Sequence, residues 1–144
     1  MEEEITYLVI NGGRLKEDKF FGKFVDYARG NITAVYCEYD LFSGSIWCID
    51  LRHKTKRGTK YYTISFRSNS TPFADIVDLL LSYDRLCSST LVTIKSHPIG
   101  DRVGVEVIAN RKHLRAKNKA KEEDISRRVK LLQKLLRRRK TTIK

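Results

Sequence analysis

The residues of this chain best equipped for chemistry are cations set beside aromatic rings. Arg52, Lys54, Lys56, Arg57 and Lys60 crowd one short stretch, and Tyr61 follows directly. Guanidinium and ammonium groups supply phosphate contacts, and a tyrosine ring supplies a surface on which a base stacks. Alternation along 45–52 puts Trp47, Ile49 and Leu51 on one face, and along 60–67 it puts Tyr62, Ile64 and Phe66 together, as core. The opposite faces carry Cys48, Asp50 and Arg52, and Tyr61, Thr63, Ser65 and Arg67. That second face reads either as a nucleic-acid platform or as a solvated sheet surface. The basic loop reads either as a set of phosphate ligands or as a solvated hairpin tip. Lys95 and Arg102, on a later hairpin, are isolated candidates for the same groove.

Other chemistry finds little support. His53, His97 and His113 fall in loops or a linker, without paired carboxylates, a nucleophile elbow or a phosphate-cradling glycine loop, so no catalysis, cofactor, metal or small-molecule substrate is expected. Cys37, Cys48 and Cys87 lack the short spacing of a zinc or redox motif and read as small buried apolar residues.

The second charged feature is the C-terminal stretch. Residues 1–110 hold 14 Lys/Arg and 14 Asp/Glu, whereas 111–144 hold 15 Lys/Arg and 3 Asp/Glu, so the whole surplus of +12 lies beyond residue 110. Such a segment repels itself unless a polyanion neutralises it; nucleic acid is the commonest polyanion in a cell, and membrane surfaces and acidic proteins are the competitors. Arg111, Lys112, Arg115, Lys117, Arg137, Arg138 and Arg139 are the candidate ligands. From about residue 122 the pattern is a helix with acids first and arginines last, matching its macrodipole. Ile125, Val129, Leu132 and Leu136 form its apolar stripe, which must be buried on something: a protein partner or a second copy of the chain is expected to cover it.

The elements that position these residues are mostly strands. Short β-branched and aromatic runs at 5–10, 20–29, 32–39, 45–52 and 60–67 are separated by turn signals such as Asn11-Gly12-Gly13 and Gly30-Asn31. A helix of about four turns follows, capped by Thr71 with Pro72 in its first turn and carrying Phe73, Ile76, Val77, Leu80 and Leu81 at helical spacing. Two more strands, 91–96 and 103–109, close the set. Residues 1–110 are expected to form a β-barrel domain that folds alone, with 111–144 a basic linker and helical tail. The acidic start Met-Glu-Glu-Glu is unlike a signal peptide, and no run approaches the ~18 apolar residues of a membrane span, so a cytoplasmic site without membrane attachment is expected.

Three strands, a helix and a closing hairpin is the order of the five-stranded OB barrel. The segments Gly30-Asn31-Ile32-Thr33-Ala34-Val35, Phe42-Ser43-Gly44-Ser45-Ile46-Trp47-Cys48-Ile49-Asp50-Leu51, Tyr62-Thr63-Ile64-Ser65-Phe66-Arg67 and Leu91-Val92-Thr93-Ile94-Lys95 resemble the OB-fold single-stranded-DNA-binding proteins of tailed, crAss-like bacteriophages. The resemblance covers a little over half the chain. It implies a mainly β, OB-like barrel with an N-terminal strand extension, and a role in phage DNA replication within a host bacterium. Two departures stand out: a basic helix where such proteins often end in an acidic tail, and a barrel of no net charge. The alternative is a virion or replication-complex component that uses an OB-like module and a basic docking helix.

Overall fold

The computed structural model describes residues 4–11, 14–19, 21–41, 44–67, 71–99, 102–114 and 125–137. Eight strands form one sheet: β1 (Ile5–Asn11), β2 (Arg14–Glu17), β3 (Tyr27–Asp40), β4 (Gly44–Thr55), β5 (Gly58–Arg67), β6 (Leu91–Ile99), β7 (Arg102–Ala109) and β8 (Lys112–His113). Helix α1 (Thr71–Leu81) lies between β5 and β6 in the chain, and α2 (Ile125–Leu136) follows β8. The fold is mainly β, as expected. The sheet runs β2-β1-β5-β4-β3-β6-β7-β8 and curls into a half-barrel.

The five-strand barrel expected from the order of elements is not what forms. β5 gives its outer edge to β1, in parallel register with Ile5 opposite Tyr61, and β1 carries β2 beyond it. At the other edge Asn110 and Arg111, both with positive φ, turn the chain so that Ala109 pairs with Lys112. Two consecutive left-handed residues match the twist of a two-residue hairpin, and this is how a stretch expected to be linker becomes β8.

The boundary expected at Gly30-Asn31 is also absent, because β3 runs through it. Gly30 stands where β3 presses on β4: a Cβ there would lie 2.9 Å from the carbonyl carbon and oxygen of Arg52. The glycine permits close approach, not a turn, and a bulge follows between Ile32 and Ala34. The expected strand at 20–29 shrinks accordingly to a bridge between Phe24 and Lys16 plus the start of β3.

The inner face of the sheet carries Leu8, Val35, Ile49, Leu51, Ile64 and Phe66, all buried. Trp47 stacks on Phe73 of α1 at 5.2 Å between centroids, and Phe66 meets the same ring at 5.2 Å. α1 is three turns long and not four; it buries Phe73, Ile76, Val77 and Leu80, while Leu81 is partly buried. α2 packs on α1 and β3, and its Ile125, Val129, Leu132 and Leu136 belong to the same apolar cluster as the sheet. The Arg128 guanidinium pairs with Asp78 of α1, and the Gln133 amide donates to the Val35 carbonyl. The core therefore draws side chains from both sides of residue 110. Among the described residues no helix is long and apolar enough to cross a membrane.

Candidate nucleic-acid interface

The basic loop is the tip of the long β4–β5 hairpin. Its ladder runs from Ile46 opposite Arg67 to Thr55 opposite Gly58, leaving only Lys56 and Arg57 to turn. Gly58 takes φ 132, and the Thr55 hydroxyl donates to the Gly58 carbonyl (2.9 Å) while accepting the Arg57 N–H (3.3 Å), so the turn is held from inside. Lys54, Lys56, Arg57 and Lys60 are all exposed, as is Arg52 one row below. Among the described residues no carboxylate pairs with any of these five. His53, opposite Lys60, is partly buried; that burial first, then Arg29 and Lys60, hold its imidazole below the usual histidine range.

Along the outer face of the sheet the expected platform is only partly open. Asp50 sits at its centre, accepting from the Tyr36 hydroxyl at 3.1 Å and the Thr63 hydroxyl at 2.8 Å on one carboxylate oxygen. Cys48 and Thr63 are buried although they face away from both helices, and the Cys48 thiol lies 3.9 Å from the Ser65 hydroxyl. Burial, with Asp50 adding to it, pushes the Tyr36 hydroxyl well above its ordinary range, and burial raises the Cys48 thiol. This polar knot ties three strands together and engages the polar groups of these rows with one another. The accessible part of the face is its hairpin end, where half-buried Tyr61 lies in register between Arg52 of β4 and Ile5 of β1. Arg67 belongs to the other end of the ladder, six residues and about 20 Å from Tyr61 at strand rise. The side chain of Arg67 lies outside the described residues, as does that of Arg102.

α2 supplies the second basic surface. Arg127, Lys130 and Lys134, with Arg137 just past its end, are exposed and, at spacings of three, four and three, fall within about 80° of one another on the side away from the buried stripe. No acid interrupts α2, and its Arg128 is spent on Asp78. Of these cations only Arg137 was expected as a ligand; the spacing of the other three was readable as the complement of the apolar stripe. That stripe was itself expected to meet a partner, and the structure corrects this: Ile125, Val129, Leu132 and Leu136 are covered by the chain's own α1 and β3, because an open half-barrel needs a lid.

The remaining candidates scatter. Lys95 is held by Glu106 at 3.7 Å, which also engages His113. Arg111 in the β7–β8 turn and Lys112 at the start of β8 are exposed. Arg115, Lys117, Arg138 and Arg139 lie outside the described residues. No family model, curated protein or solved structure matches this chain.

Proposed function

We propose that this protein is a non-enzymatic, single-stranded nucleic-acid-binding protein with little sequence preference, acting on DNA, as the resemblance to phage proteins suggests. The observation that carries the reading is the division of labour on α2. Its apolar side is spent on the core, and its outer side, continued by Arg137 just past its end, presents four cations with no acid among them. A helix that served to dock on an assembly would keep its apolar stripe for the partner. The hairpin cations, which pair with no carboxylate among the described residues, add a second phosphate-binding point, and Tyr61 beside Arg52 offers a ring to a base. The succession of three antiparallel strands, a helix and a hairpin within the larger sheet supports an OB-like reading of the module that carries them.

The test is the salt dependence of binding. Each phosphate neutralised on a single strand contributes about 0.7 to the slope of log K against log salt. Replacing Arg127, Lys130, Lys134 and Arg137 together by Gln in the full chain should lower the slope for oligo-dT by up to about 3. An unchanged slope would overturn the assignment of α2, and a full chain that binds no polynucleotide at low salt would overturn the function.

A further inference from the structure

The segment joining β2 to β3, together with the first residue of β3, exposes three aromatic rings. Phe21 is 89% exposed, Phe24 48% and Tyr27 51%. Rings of this size are normally buried, and several exposed together mark a contact surface. The exposure is built in. The Gly22 N–H bonds to the Lys19 carbonyl (2.9 Å), closing a turn that holds Phe21 at φ 60, a region bulky residues rarely adopt. Gly22 itself lies so close to the Glu17 carbonyl that no side chain would fit. The Val25 N–H then bonds to the Leu15 carbonyl (3.0 Å), and Phe24 bridges to Lys16, which fixes the next ring to β2.

Cations lie over Phe24 and Tyr27. The Arg14 guanidinium lies 4.2 Å from the centroid of Phe24, with the Lys16 ammonium at 5.8 Å, and the Arg29 guanidinium lies 5.0 Å from that of Tyr27. Arg29 is fixed by donating to the Thr93 hydroxyl at 2.9 Å. The acids nearby are Glu17, Asp18 and Asp26, with Glu106 of β7 beyond Lys95, which it holds. Glu17 is engaged by Lys19 at 3.1 Å and by the Lys23 N–H, while Asp18 and Asp26 are exposed. The patch lies where the curled sheet brings β2 near β6 and β7, and Tyr27 pairs with Lys95 of β6. Positive charge held within about 6 Å of a stacking surface is the complement of a nucleotide, whose planar base sits beside an anionic phosphate.

We propose that Phe24 and Tyr27, with Arg14, Lys16 and Arg29, form a second single-strand contact, in which bases stack on the two rings and the flanking cations hold the adjoining phosphates. This rests on the nucleic-acid reading above and adds where the bases are gripped.

The experiment compares the full chain with Phe24→Ala, Tyr27→Ala and Phe24→Leu, using oligo-dT and an abasic oligonucleotide of equal length, with thermal melts confirming that each variant folds. Each alanine variant should bind oligo-dT about 5- to 150-fold more weakly and the abasic strand almost as well as the parent. Phe24→Leu, apolar but without a ring face, should lose affinity like the alanine variant. Unchanged oligo-dT affinity in all three variants, equal losses on both strands, or full affinity in Phe24→Leu would each overturn the stacking contact while the wider function stands. Failure of the parent chain to bind either strand would remove both.

Discussion

His53 stands where the β4–β5 ladder leaves the core, with Lys60 across from it, and its imidazole is held below its ordinary range. With the folded value below the unfolded one near 6.5, both states are neutral above that pH; as acid is added the unfolded state takes the proton first, so stability falls until the folded histidine titrates too. A phosphate seated on the hairpin would reverse the local field and favour the imidazolium. Affinity for oligo-dT should therefore rise as pH falls from about 7.5 to about 5.5, with proton uptake on binding, and His53→Gln should flatten that rise. A pH profile identical in the variant would place the strand elsewhere. Tyr61→Ala should weaken single-strand binding by roughly 1–3 kcal/mol if a base lies on it, as titration with short oligonucleotides would read. Asp50 makes a different prediction, because two hydroxyls donate to it. Asp50→Ala leaves the Thr63 and Tyr36 hydroxyls without their acceptor and should cost roughly 1–3 kcal/mol in denaturant unfolding, with little change in affinity.

At the scale of elements, α2 is where stability and charge meet. Leu132 is fully buried, and Leu132→Ala should lower unfolding free energy by about 2–5 kcal/mol. Lys130→Ala, on the exposed side, should leave unfolding nearly unchanged and affect only binding. Both sides of this helix were legible in the sequence, since a period of 3.6 separates Ile125, Val129, Leu132 and Leu136 from the cations. Which surface would cover the stripe was not legible, because that depends on how far the sheet curls. The same holds for strands. Alternation in β4 and β5 placed Ile49, Leu51, Ile64 and Phe66 inside correctly, as local periodicity can. Gly30-Asn31 misled because a glycine that admits a neighbouring backbone looks, in one dimension, like a glycine that turns. Tyr27 and Arg29 share a face of β3 two residues apart, but the cations on Phe24 come from β2, and only the fold brings them onto that ring.

For the whole molecule, the decisive fact is that one core spans the sheet and both helices. Deleting residues beyond 110 would remove four buried side chains of α2, a loss comparable with the roughly 5–15 kcal/mol that holds a domain together. The truncated chain is expected to lose cooperative melting and to bind a hydrophobic dye such as ANS; a sharp melt close to that of the full chain would show that the sheet and α1 suffice. The parallel pairing of β1 with β5 carries a consequence in time. β3, β4 and β5 zip through short hairpins, whereas Ile5 reaches Tyr61 only after a loop of more than fifty residues closes, so the β1–β2 unit should join last and leave first. Amides of β1 would then exchange with solvent through an opening that leaves the β3–β5 meander intact. Because Arg14 and Lys16 ride on that unit, a single strand gripped at Phe24 would act as a latch, and its release would be timed by the departure of the first two strands.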